Sequence, residues 1–299
     1  MAVEKPDIPY ICPANLRPGP LPEVRDLLLA GKRHNAGPDC GKTPMRFDEH
    51  YDANSGGSPC GLFQEAENML FVQQSTNVPV PKIYAMFHDK KTGIDFVIQE
   101  FVPGHKLGDV WEYLDLAQKG AIALQLRRHF DELRSIPSPG YYAGIWKQRV
   151  PHDHFTGYYA DHFTGDRASH DPIRDQAILG PHETEEEWTR AMVLCLDFHQ
   201  PARYELPVKD RYYPTVFKGH ESVFTHGNLR PDNLVLREDK TVVIVDWWNS
   251  GWYPSYWEYS CAMKSAANKD WTKWVHDMVL DEYAHEEALM TLGDIVYRG

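Results

Sequence analysis

Apolar residues recur along this chain with two periods, and the switches between them mark its elements. Residues 21–29 (LPEVRDLLL) have helical spacing, and Ala30 followed by Gly31 offers a stop. Residues 45–51 (MRFDEHY) alternate apolar and polar, the period of a strand with one buried face. The next six, 52–57 (DANSGG), are small and polar and read as a turn. A helix is predicted over 61–74, with Leu62, Ala66, Met69, Leu70 and Gln73 along one face. Residues 82–89 and 94–101 are apolar strands joined by Lys90-Lys91-Thr92-Gly93, a hairpin signal, and Val102-Pro103-Gly104 ends the second.

Helical spacing then takes over. Residues 107–116 and 120–136 read as helices, the second with Ile122, Leu126, Phe130 and Leu133 on one face. Residues 141–213 are the least regular stretch, rich in aromatics (Tyr141, Tyr142, Phe155) and containing His152 and His154 one residue apart. Inside it, Thr184-Glu185-Glu186-Glu187 is a capping-box pattern that opens a helix over 184–197. The run Val242-Val243-Ile244-Val245 is a strand, and 257–267 and 271–291 are predicted as closing helices. Residues 1–22 are proline-rich and are expected to run extended along the surface, and 32–44 read as loop.

The chain of 299 residues can bury a large core, as one bilobal unit or as two small domains. Its net charge of −12 repels nucleic acid and anionic membranes, so neither is an expected partner. Trp 9, Tyr 16 and Phe 12 suit a pocket for a flat or apolar ligand, and equally suit a core. Cys12, Cys40, Cys60, Cys195 and Cys261 show no C-x-x-C spacing, so no zinc site or disulfide framework is indicated. The His152-x-His154 pair lacks the further ligand spacing of a metal site. No segment approaches the roughly eighteen apolar residues of a membrane span, and residues 1–19 lack an apolar signal core. A soluble cytoplasmic protein is expected.

Residues 224–259, FTHGNLRPDNLVLREDKTVVIVDWWNSGWYPSYWEY, carry the chemistry. His226, Gly227, Asn228, Leu229 and Asn233 fall in the frame H-x-D-L-x-x-x-N of a kinase catalytic loop, with Asn228 in the Asp place. Asp246 lies thirteen residues beyond Asn233, at the end of an apolar run, where a kinase places its second metal-binding Asp. A hairpin between them would bring Asn233 and Asp246 together as oxygen ligands for Mg²⁺ on triphosphate oxygens.

On these residues the chain resembles the aminoglycoside phosphotransferase-like family of small-molecule kinases, its fungal branch in particular. Residues 65–69 (EAENM), 78–84 (VPVPKIY), 99–104 (QEFVPG) and 136–142 (IPSPGYY) extend the resemblance over most of the chain from about Met45 onward. It implies a bilobal protein-kinase-like α/β (α+β) fold. Residues 1–101 would form a small β-rich lobe behind an extended amino-terminal segment, and 102–299 a larger helical lobe, in which 141–213 walls the ligand pocket. The resemblance also implies roles. Asn228 stands where a catalytic Asp orients the substrate hydroxyl, and Asn54 where a strand lysine holds the α/β-phosphates. Glu65, or else Glu67, matches the helix glutamate that pairs with that lysine, and Lys42 and Arg46 are the nearby cations that could replace it. The backbone of residues 100–102, from Glu100 to Val102, would meet an adenine edge. The family's I-D-W-E reads Val245-Asp246-Trp247-Trp248, an indole in place of a carboxylate.

Asn228 keeps the shape of aspartate but cannot take a proton, and general-base help is worth about 10²–10⁴-fold. The expectation is that ordinary ATP phosphotransfer has been lost and a small organic molecule is bound and transformed between the lobes. The step would be a cyclisation, isomerisation or dehydration in fungal secondary metabolism. Asn228, His226, Asp246 and Glu258 are the candidate catalytic groups, and Tyr141, Tyr142, His152, His154, Phe155, Trp247, Trp248 and Trp252 the candidate pocket. One alternative is a kinase that uses Mg²⁺ and ATP to phosphorylate a hydroxyl group, with Asn233 and Asp246 as metal ligands. Another is a non-catalytic pseudokinase with a protein partner.

Overall fold

The computed structural model describes residues 3–33, 43–46, 51–57, 62–150, 172–199, 208–265 and 268–297. They form two compact units, Met1–Glu112 with Asp232–Trp248, and Tyr113–Pro231 with Asn249–Gly299.

The first unit is built on an antiparallel sheet of order β1-β4-β5-β3-β2. Its strands are β1 (Tyr10–Ile11), β2 (Thr43–Arg46), β3 (Tyr51–Gly57), β4 (Ile83–Asp89) and β5 (Ile94–Glu100). Phe96, Val97 and Ile98 are consecutive and all buried, so β5 is covered on both faces. Leu27 of α1 (Val24–Arg33) joins Phe96 and Ile98 in one cluster, while α2 (Leu62–Ser75) packs on β4 and β5. The segment read as a turn, 52–57, is instead β3. Asn54 pairs with Pro44 on one side and Val97 on the other. Two strand neighbours satisfy the backbone of β3, which outweighs the weak strand preference of Asp, Asn and Gly. Of the alternating residues 45–51, Met45 and Arg46 end β2 and Tyr51 begins β3, and 47–50 lie outside the described residues. Helix α1 continues through Gly31 to Arg33, because a glycine inside a helix costs only about 1 kcal/mol. The amino-terminal segment is also more structured than expected: β1 adds a strand beyond β4, and Cys12 donates its amide to Tyr84 O at 2.8 Å.

A second sheet in this unit has the order β6-β8-β9, from β6 (His105–Lys106), β8 (Leu234–Leu236) and β9 (Val242–Ile244), while β7 (Ser222–Thr225) belongs to the other unit. Gly104 enters it at φ +145, and a Cβ there would lie 2.4 Å from Leu236 O, so only glycine fits. The helix expected over 107–116 is a single turn, α3 (Leu107–Val110), followed by a 3₁₀ turn at Trp111–Tyr113. Asp115 and Gln118 then make a reciprocal capping box that starts α4 (Leu116–Arg134).

Besides α4, the second unit contains α5 (Pro172–Leu179), α6 (Glu185–His199), α7 (Tyr213–Val216), α8 (Trp257–Ser265), α9 (Lys269–Trp274) and α10 (Ala284–Tyr297). Strands β7 (Ser222–Thr225) and β10 (Gly251–Pro254) form a two-stranded ribbon with Phe224 opposite Trp252. The helix expected over 271–291 is interrupted. Val275–Val279 wind as a π-helix, Leu280 is extended, and Arg127 and Arg134 of α4 hold Asp281 at 2.8 and 3.4 Å. Those ion pairs are tertiary and leave no trace in local spacing. Trp188 of α6 sits edge-on to Trp257 at 4.9 Å, Tyr253 at 5.2 Å and His182 at 5.8 Å. Trp188→Ala is therefore expected to cost about 3–5 kcal/mol, measured by urea unfolding of the whole chain. A loss below 1 kcal/mol would show that these rings do not form one packed core. No helix among the described residues is long and apolar enough to cross a membrane.

Candidate functional site

In the second unit, β7 delivers the chain into the loop that carries Asn228. Thr225 is paired with Gly251, and beyond it the backbone is tied down by buried side chains. His226 N and Gly227 N both donate to Glu258 Oε2, at 2.7 and 2.9 Å, and Ser250 Oγ donates to His226 O at 3.2 Å. Gly227 turns at φ +78. His226 and Leu229 are fully buried, whereas Asn228 between them is half-buried. The loop thus presents Asn228 and hides its neighbours. Glu258 and the His226 ring, both candidate catalytic groups from sequence, sit in the packing that anchors this loop.

In the first unit, Asn233 and Asp246 stand at the open end of the β8–β9 hairpin. Leu234 pairs with Ile244, and the next rung is a bond from Val245 N to Asn233 O of 3.0 Å. Asp246 then adopts φ +63, in the left-handed region that few residues other than glycine enter and that aspartate enters more readily than most. Trp247 secures the turn from the far side: its indole N–H donates to Ile244 O at 2.8 Å, and the ring is fully buried. One amide oxygen and one carboxylate are hard donors of the kind Mg²⁺ takes, and the hairpin register places them on adjacent strand ends. Among the described residues no cluster of three or more His, Cys, Asp or Glu could hold a metal by itself.

Helix α2 reaches the same turn. Asn68, fully buried, donates from Nδ2 to Trp247 O at 2.8 Å. Glu65 is buried on this helix, and Glu67, 2 % exposed, has Lys5 Nζ 3.3 Å from Oε1. Neither Lys5 nor Asn68 was among the residues picked out by sequence. Lys5 lies in a proline-rich segment that nothing local ties to α2, and Asn68 sits unremarked inside the motif EAENM. Asn54 is in the middle of β3, where the resemblance places a lysine. Arg46 ends β2, and Lys42 lies outside the described residues.

The hinge candidates are committed within the first unit. Glu100 N donates to Lys82 O, and its carboxylate accepts from Arg237 Nη2 at 2.7 Å. Val102 is half-buried. Of the expected aromatic pocket, Tyr141, Tyr142, Trp247 and Trp252 are buried and Trp248 is half-buried. Tyr142 donates to His220 O at 2.8 Å, and burial together with Glu185 and Glu221 pushes its pKa up to about 12. Burial likewise raises the Tyr141 phenol. Both phenols are neutral at physiological pH; Tyr142 donates, whereas the Tyr141 hydroxyl accepts from Lys147 N at 3.1 Å. His152, His154 and Phe155 lie outside the described residues. A cavity of about 480 Å³ opens between α6 and residues 209–218, over a floor of Thr189, Val193 and Phe217. None of the predicted site residues lines it.

Comparison with known proteins bears on the family and the fold. The sequence model of a phosphotransferase enzyme family matches residues 54–294. Among solved structures, an aminoglycoside phosphotransferase APH(2'')-Ib with ADP bound is 12% identical, with 91% of this chain and 86% of that chain covered and a TM-score of 0.53. The gentamicin complex of APH(2'')-IIa is 11% identical, covering 91% and 85%, at a TM-score of 0.52. A GDP complex of an aminoglycoside 2'-phosphotransferase-IIIa variant is 18% identical, covering 87% and 81%, at 0.51. No curated protein matches the chain in sequence. At such identities the likeness establishes the fold, which is the protein-kinase-like α/β fold expected from the sequence.

Proposed function

The chain belongs to the phosphotransferase enzyme family, and we propose that it binds a metal–nucleotide complex but transfers its phosphoryl group poorly to a small hydroxyl compound. The observation that carries this reading is the β8–β9 hairpin, which sets Asn233 beside Val245 and holds Asp246 at φ +63. A left-handed aspartate fixed by hydrogen bonds on both sides is strain of the kind that persists at binding sites. Asn233 and Asp246 would hold Mg²⁺, which when bound supplies neutralising charge to phosphate oxygens. Asn228 would hold the acceptor hydroxyl through its amide oxygen without removing its proton. The ADP and GDP in two of the solved relatives support a nucleotide ligand. Likeness to the fungal branch supports a biosynthetic small molecule as acceptor. A cyclase, isomerase or dehydratase step loses its support, since it rested on an aromatic pocket and four of those aromatics pack into the core.

The test is calorimetry with ADP and GDP, each with and without Mg²⁺, on the intact protein and on Asp246→Ala. Mg²⁺-dependent binding is expected, weakened about 100-fold by the substitution, since even outer-shell partners of a metal are worth 10–100-fold. Absence of heat from either nucleotide with the intact protein would overturn the reading.

A further inference from the structure

We propose that the amino-terminal segment positions the metal-binding carboxylate: Lys5 holds helix α2 through Glu67, and Asn68, the next residue, holds the turn that keeps Asp246 left-handed. The functional consequence rests on reading Asp246 as a metal ligand; the coupling itself does not.

Each link is a contact within the first unit. The segment is fixed to the sheet independently of Lys5, because Tyr10 and Ile11 pair with Met86 and Ala85 and Cys12 N bonds Tyr84 O. From that base Lys5, with its side chain about half exposed at 49%, reaches a Glu67 carboxylate that is almost entirely buried. A buried carboxylate is costly unless a cation or donors compensate it, so losing the ammonium favours any shift of α2 that lets Glu67 reach water. Asn68 turns such a shift into a local event. Its amide is the tie from α2 to Trp247 O, across 179 residues of sequence.

The turn it grips is strained. Asp246 lies between Val245, bonded to Asn233 O, and Trp247, whose ring bonds back to Ile244 O. A non-glycine residue at φ +63 carries a backbone cost that its surroundings offset. Loss of the Asn68 bond to the Trp247 carbonyl removes one restraint on that turn, so the Asp246 backbone shifts toward an ordinary conformation and the carboxylate moves away from Asn233. Asn68 is thus a positioning residue, and Lys5 acts through it.

The experiment compares the whole chain with Lys5→Met, Lys5→Arg and Asn68→Ser. Amide hydrogen exchange is followed in α2 and in residues 242–250, and ADP affinity with and without Mg²⁺. Lys5→Met is expected to speed exchange about fivefold in both segments and to weaken Mg-ADP binding about fivefold, within the range seen for residues that transmit coupling. Metal-free ADP affinity should stay the same, and Lys5→Arg should restore both readouts. Asn68→Ser should loosen 242–250 while leaving α2 protected. The proposal is overturned if Lys5→Met leaves exchange at 242–250 unchanged, whether or not α2 loosens. If the unaltered protein binds no nucleotide, the functional reading fails, and the exchange measurements still decide the coupling.

Discussion

Asn228→Asp is expected to raise phosphoryl transfer by about 10²–10⁴-fold, the usual worth of a general base. The loop is prepared for this exchange. Both amides preceding Asn228 are held by Glu258, Gly227 supplies the turn at φ +78, and Leu229 is buried behind it. Aspartate is isosteric with asparagine, and the position is only half-buried, so a charge there meets little desolvation cost. The gain should appear in kcat with KM for the nucleotide nearly unchanged, because Asn233 and Asp246 are untouched. Nucleoside diphosphate release, measured over a panel of hydroxyl acceptors, would show it. Equal rates in the two proteins would move the deficiency to Asn54, in the middle of β3, and make Asn54→Lys with Asn228→Asp the next comparison.

Glu258→Leu is expected to destabilise the chain by about 3–5 kcal/mol. The substitution strips His226 N and Gly227 N of a shared buried acceptor, and each stranded donor costs about 1–3 kcal/mol. Glu258→Gln keeps an oxygen for both amides and gives up only the charge assistance, so a loss of about 1–2 kcal/mol follows. Urea unfolding of the three proteins checks the order. A Glu258→Leu protein within 1 kcal/mol of the unaltered one would refute the anchoring role. A Glu258→Gln protein of normal stability but abolished turnover would return Glu258 to acid–base chemistry.

Which residues carried information locally, and which did not, follows from the range of the forces involved. Helix α2, strands β4 and β5 and the hairpin after Asn233 were legible because apolar residues recur locally, at helical spacing in α2 and as short runs bounded by turn residues in the strands. The frame around Asn228, Asn233 and Asp246 was legible for a related reason: a hairpin of set length links chemistry to spacing. The DANSGG segment was misread, since its place in β3 comes from hydrogen bonds to β2 and β5 rather than from its side chains. The break before α10 was invisible: there Asp281 meets arginines of α4 about 150 residues earlier, a contact that local spacing does not record.

The same division runs through the candidate site. The motifs shared with the aminoglycoside phosphotransferase-like family were enough to imply the kinase-like fold and to mark Asn228 as an asparagine in the place of a catalytic aspartate. Folding alone decided that Glu258 holds the His226 and Gly227 amides, that Tyr141, Tyr142, Trp247 and Trp252 are buried, and that Lys5 meets Glu67. Periodicity reports how a residue faces its own element. Ion pairs, caps from distant helices and left-handed backbone held in place are agreements between segments far apart in the chain, and they come into being only when the chain folds.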